Sequence, residues 1–130
     1  MLQRNERGAA AVELALLLPI LLLLLLGIME FGRAFNAQAT LTGAAREGVR
    51  VMSISRSPSE ARASAIVAGG SLNPALTAPN IAISVPEATS ANPCPSGSTA
   101  TVTITYTLGS LTGIAGPFGL TGKGVMLCGG

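Results

Sequence analysis

Histidine and tryptophan do not occur in these 130 residues, cysteine occurs twice, and the aromatic side chains are Phe31, Phe35, Phe118 and Tyr106. With no imidazole and only two thiols, Cys94 and Cys128, far apart in sequence, ligands for a metal site are too few, and no metal or other cofactor is expected. So few rings offer no stacking platform for bases or sugars. The eight basic and six acidic residues give a net charge of +2 and are scattered, which leaves no electrostatic footprint for a nucleic acid. Catalytic equipment is missing as well. There is no histidine base, no activated serine or cysteine setting and no phosphate loop, and outside the helices Glu87 is the one remaining carboxylate side chain. Neither an enzyme nor a small-molecule substrate is expected.

What the chain does contain is a hydrophobic run of bilayer length. Leu14 to Met29 carries no charge, and counting from Ala9 gives 21 residues. That is ~31 Å of helix, matched to a hydrocarbon core of ~30 Å. The twelve Leu and Ile residues between Leu14 and Ile28 each favour insertion by roughly 0.3 to 0.6 kcal/mol, whereas a carboxylate costs at most about 3 kcal/mol at mid-membrane, so the span tolerates Glu13. Pro19 lies inside it and cannot donate to the carbonyl of Ala15; it either bends the helix or loosens one turn, or is simply tolerated in a leucine-rich span. Residues 1–8 form a polar leader with Arg4, Glu6 and Arg7, the kind of basic stub that stays cytoplasmic. Arg33, Arg46 and Arg50 beyond the span balance the basic count. The C-terminal part is therefore placed outside on its cysteines and its Ser/Thr/Gly-rich composition. A removable signal peptide is a competing reading. Against it, the apolar stretch exceeds the ~7 to 15 residues of a signal core, and the small-residue pattern Ala37-Gln38-Ala39 lies too far downstream.

Helical character continues past the membrane surface. Phe31, Phe35, Leu41, Ala45, Val49 and Met52 recur at three-, four- or six-residue steps, with no proline after Pro19 until Pro58. Glu30 with Arg33, and Glu47 with Arg50, place opposite charges three apart on that helix. Thr40, Ala44 and Gly48 share another face, where a backbone or a sheet can approach closely, or which is simply a crowded core face. Ser57-Pro58-Ser59-Glu60 predicts a helix start and Gly69-Gly70 its end. Ile81, Ile83 and Val85 alternate with Ala82 and Ser84 as a short strand closed by Pro86. Thr101 to Leu108 alternates strictly, with Val102, Ile104, Tyr106 and Leu108 inward. Leu120 to Cys128 predicts a third strand, weakened by Gly122 and Gly124. The fold class is therefore α+β: a long N-terminal helix, membrane-spanning in its first half, then a small domain with one further helix and an antiparallel sheet of about three strands. Divided along the chain, 1–8 is leader, 9–29 transmembrane helix, 30–56 its extracytoplasmic continuation and 57–130 the small domain. A unit of that size is marginal alone and gains from a crosslink or from partners. Cys94 and Cys128 are expected to form one disulfide, which requires an oxidising compartment; the alternative is two unpaired thiols.

Gly8, Glu13, Pro19, Gly27 and the triplet Glu30-Phe31-Gly32 also carry a resemblance. The stretches G-A-A-A-V-E-L-A-L-L-L-P and G-I-M-E-F-G-R-A are similar to the N-terminal signature of TadE-like pseudopilins, minor pilins of tight-adherence (Tad/Flp) pilus systems. The likeness is strong over residues 7–51 and general downstream, where the chain ends Val125-Met126-Leu127-Cys128-Gly129-Gly130 instead of in the Met-Arg and acidic residue frequent in that family. The resemblance implies a precursor cut between Gly8 and Ala9 by a prepilin peptidase, with glycine presenting no side chain to the protease cleft. It implies further that Glu13, fifth residue of the mature chain, pairs in the bilayer with the freed amine of Ala9 on an adjacent subunit. The alternative for Glu13 is that it snorkels to headgroup water.

On this reading the chain is a pseudopilin that acts in assembly of an adhesive pilus. Its partners would be the membrane, other pilins and pseudopilins, the prepilin peptidase and the pilus assembly platform. Its place would be the inner or cytoplasmic membrane, C-terminal domain outside, with possible incorporation in the pilus. The alternative is a single-pass anchored binding module that keeps its leader and enters no filament; a third reading is a secreted protein freed by signal peptidase.

Overall fold

The residues after the leader contain few helix breakers, and in the computed structural model, which describes residues 2–129, the first helix α1 runs without interruption over Leu2–Ser55, through Pro19. At 54 residues it is ~81 Å long. It ends where Arg56 takes a left-handed conformation (φ 55°) and donates its N–H to the Met52 carbonyl at 3.0 Å, the single-bond closure typical of helix C-termini. Ser57 then opens α2 (Pro58–Ala68), its hydroxyl accepting from the Glu60 N–H. The helix start and stop expected from Ser57-Pro58 and Gly69 are both found. The capping box that Ser57 and Glu60 suggest, with the Glu60 carboxylate bonding back to the Ser57 N–H, is not formed among the described residues; that N–H bonds the Ser55 hydroxyl instead.

After a single turn of 3-10 helix at Ala78–Asn80, three strands follow: β1 (Ile81–Ser84), β2 (Thr99–Leu108) and β3 (Phe118–Leu127). They form one antiparallel sheet in the order β1-β2-β3, with Ile81 opposite Ile104 and Val102 opposite Gly124. The fold is thus α+β, as the alternation in the sequence predicts. Ala100, Val102, Ile104, Tyr106 and Leu108 point into the core, while the threonines between them lie on the sheet's outer face. Both helices cover the inner face, so the second half of α1 is itself a core element: Leu41, Ala44, Ala45, Val49 and Met52 are buried with Ala61 and Ala65 of α2.

Small residues set how closely these layers approach. A Cβ on Gly48 would stand 3.2 Å from the Ala65 Cβ and 3.3 Å from the Ala61 carbonyl, so the small-residue face of α1 is where α2 crosses it. Gly122 and Gly124 do the same for the sheet. A Cβ on Gly122 would meet the carbonyl of Leu41, and one on Gly124 would lie 2.5 Å from the carbonyl oxygen of Ala45, so the α1 backbone rests directly on β3. Glycine is the residue that permits such an approach. In a strand these two residues lower β propensity, but here they are the floor on which the long helix lies.

The β3 strand runs alongside α1 from the level of Phe31, whose ring centroid is 6.2 Å from that of Phe118, to that of Ser53, which contacts Met126 and accepts the N–H of Gly129. Phe31 and Phe35, despite their spacing with Leu41 and Ala45, are exposed. The buried line on α1 instead starts at Glu30 and continues through Ala37, Leu41 and Ala44.

Candidate functional site

Two regions carry the chemistry that the sequence singles out, and both lie on α1. The first is its N-terminal half. From Val12 through Met29 the large apolar side chains are exposed, and no residue of the domain packs over most of them. It is the one helix among the described residues long and apolar enough to cross a membrane. An apolar surface of this extent is stable only in lipid or against other apolar helices.

Gly8 and Ala9 sit within this helix, exposed, so a protease that cuts an extended backbone must first unwind a turn there. Glu13 is also exposed, and among the described residues nothing donates a hydrogen bond to it or pairs with its charge. Pro19 and Gly27 occupy the same exposed stretch.

The second region is a clamp at the foot of the domain. Glu30, the first residue past the apolar run, is 2 % exposed. The β2–β3 loop closes over its carboxylate: the Ser110 hydroxyl donates to Oε1, the Leu111 N–H donates at 2.9 Å, and the Arg33 guanidinium stands 3.7 Å away. Arg33 in turn donates to the carbonyl of Gly109 at 3.3 Å. The Ser110 hydrogen bond holds the Glu30 carboxyl below its ordinary range; burial opposes it, and the N–H groups of Leu111 and Thr112 and the charge of Arg33 assist. The pairing of Glu30 with Arg33 is legible three residues apart in the sequence. The capture of a distant loop is not, although a carboxylate in phase with Ala37, Leu41 and Ala44 is a hint that it faces inward. The second pair, Glu47 with Arg50, lies on the surface, joined at 2.8 and 3.0 Å. Its hydrogen bond lowers the Glu47 carboxyl and raises the guanidinium.

At the far end of the domain the sulfurs of Cys94 and Cys128 stand at disulfide distance with Cα atoms 5.5 Å apart. Both residues are buried, and the Cys128 N–H bonds the Ser98 carbonyl at 2.8 Å. No cluster of three or more histidine, cysteine or acidic side chains exists among the described residues.

Comparison with known proteins gives one positive finding: residues 8–50 match the family model described as TadE-like protein. The matched segment begins at Gly8, takes in Glu13, Pro19, Glu30 and Arg33, and ends at Arg50 on the exposed side of α1. No curated protein and no solved structure matches the chain.

Proposed function

From the premise that residues 8–50 are a TadE-like segment, consistent with a TadE-like pseudopilin, we propose that this protein is a minor pilin that acts in assembly of a Tad-type pilus for surface adhesion. The observation that carries the reading is that the matched segment takes in both the exposed apolar half of α1 and much of the half that packs in the core of the domain. Such a half-helix has two uses, crossing a bilayer and packing against identical or related helices, and a pilus subunit needs both in succession.

Prepilin peptidase would cut between Gly8 and Ala9 on the cytoplasmic side, with the domain on the other side of the membrane. The cut would create a cation at Ala9. Glu13 of a neighbouring subunit would then find a partner for its charge in apolar surroundings, which would fix the register of adjacent helices. Cys94 and Cys128 would form a disulfide in the oxidising compartment outside. The work is structural, through helix packing with other pilins and pseudopilins and with the assembly platform.

The test replaces the chromosomal copy with Glu13→Ala. Membrane-fraction recovery should equal wild type, because the substitution makes the span more apolar, while pilus yield by shearing and electron microscopy should fall. Normal pilus yield would remove the charge-pairing role. Retention of the leader with normal adhesion would favour a tethered binding module instead.

A further inference from the structure

The β2–β3 loop is fixed at an unusual height on the molecule. The Leu111 N–H bonds Glu30, the first residue after the apolar run, so residues 110–111 lie level with the end of the membrane segment. Helical side chains lean toward the N-terminus, which places the Glu30 carboxylate over the preceding turn. Leu26, on that turn, is the least exposed of the leucines in the run at 36 %. If residues 9–29 fill a hydrocarbon core of ~30 Å, the headgroup layer covers about the next 5–7 Å on each side, or roughly four to five residues of helix. Glu30 to Arg33 and the loop bonded to them then fall inside that layer.

The loop's composition suits that depth. From Gly109 to Pro117 the sequence is G-S-L-T-G-I-A-G-P, without one charge. Leu111 and Ile114 are 60 % and 65 % exposed; on α1 Phe31 and Phe35 are exposed as well, Phe31 against Phe118 at the end of the loop. Exposed apolar side chains at one level, on two elements, form a belt around the helix where it leaves the lipid. The carboxylate in that belt is hidden by the loop itself, and Arg33 is the cation suited to the phosphates there.

We propose that the β2–β3 loop, through Leu111 and Ile114, is a membrane-docking collar that seats the domain on the bilayer surface from which α1 emerges. The Glu30 clamp holds the collar to the helix, so the domain stands at a fixed height and does not swing on its anchor. The partner is the lipid interface itself. The proposal rests on the reading of residues 9–29 as a membrane span, and its test separates the two.

The chain lacks tryptophan, so single-tryptophan variants of the full-length protein report depth directly. Ile114→Trp, Leu21→Trp and Leu127→Trp are placed in vesicles of phosphatidylethanolamine and phosphatidylglycerol, with and without lipids brominated near the headgroup end of the acyl chain or, for Leu21→Trp, deep in the chain, since a span over residues 9–29 sets Leu21 near the bilayer centre. All three native side chains are exposed. Leu127 adjoins Met126, which touches Ser53, 23 residues of helix beyond Glu30 and so ~35 Å from the interface. Leu21→Trp should be quenched, Leu127→Trp should not, and Ile114→Trp should lose roughly half its emission, as expected of an apolar tip ~5–10 Å into the headgroup boundary. If Leu21→Trp is quenched and Ile114→Trp behaves like Leu127→Trp, the collar is wrong and the span stands. If Leu21→Trp is not quenched, the span fails and the collar with it. If bromine has no effect on Ile114→Trp but its emission shifts with protein density in the vesicle, the loop meets another copy of this chain, and the collar is again refuted.

Discussion

Adding one methyl group to Gly124 tests the packing of α1 on the sheet. A Cβ there would lie 2.5 Å from the Ala45 carbonyl oxygen, 2.8 Å from its carbon and 2.9 Å from the Arg46 nitrogen, all backbone atoms of the helix. Ordinary carbon contacts begin near ~3.5 Å, so helix and strand must part by ~1 Å, a gap that forfeits up to about half of the dispersion attraction of the atoms around it. No side chain can rotate aside to absorb the clash. Overpacking of this kind costs about 1–3 kcal/mol, and the reduced freedom of the unfolded alanine chain returns ~0.4–1 kcal/mol. A net loss of about 1.3 kcal/mol lowers the melting temperature of a unit of this size by roughly 5–10 °C. The assay is thermal unfolding of the full chain in detergent, followed by the near-ultraviolet signal of Tyr106, the only tyrosine and a buried one. Gly119→Ala is the control, since a Cβ there meets nothing within 4 Å. It should melt at or slightly above wild type. A Gly124→Ala protein melting within ~2 °C of wild type would refute the direct seating of α1 on β3.

Three further outcomes follow from the same structure. Replacing Cys94 and Cys128 together by alanine should destabilise the domain by about 4 kcal/mol on the loop-closure account for a separation of 34 residues, read as a lower denaturation midpoint; an unchanged midpoint would mean the thiols are not paired. Because the Glu30 carboxyl is held low in the folded state, its stabilisation is complete above its ordinary value of 4.5 and is lost as pH falls through the lowered one. The stability gap between wild type and Glu30→Gln should therefore be constant from neutral pH to about pH 5 and shrink in more acid solution; a gap that widens on acidification would contradict the clamp. Ser110→Ala removes the first of the groups that hold Glu30 low, so it should raise that carboxyl's titration midpoint, followed by NMR, and leave Glu47 unmoved.

Much of the architecture was legible because each element carries a local signal. Strict alternation from Thr101 to Leu108 fixed which side chains of β2 face inward, and Ser57 with Pro58 marked the break between helices, since a proline in the first turn and a hydroxyl before it fit no other position as well. Less was legible where the cause lies in a distant partner. Gly122 and Gly124 look like defects in a strand until α1 is laid across them, and nothing within β3 says which helix comes so close. Glu30 reads as one member of an i, i+3 ion pair; its burial depends on a loop 80 residues away. Phe31 and Phe35 mislead for another reason. They keep helical spacing with the core residues, but the buried line on α1 runs through Glu30, Ala37, Leu41 and Ala44, and these rings fall outside it on the exposed side of the helix. Of the proposed processing and pairing residues, Gly8, Ala9 and Glu13 were recognisable only through resemblance to TadE-like sequences, because an exposed helix offers no internal geometry that marks them.

The proposed function turns on one step, the conversion of this chain by a peptidase from an anchored precursor into an assembly-competent subunit. The mass and first residue of the protein recovered from the membranes and sheared pili of its native cells test it most directly. A mature chain beginning at Ala9 is the predicted result. A chain that still carries Met1 to Gly8, or one that begins at Thr40, would contradict it.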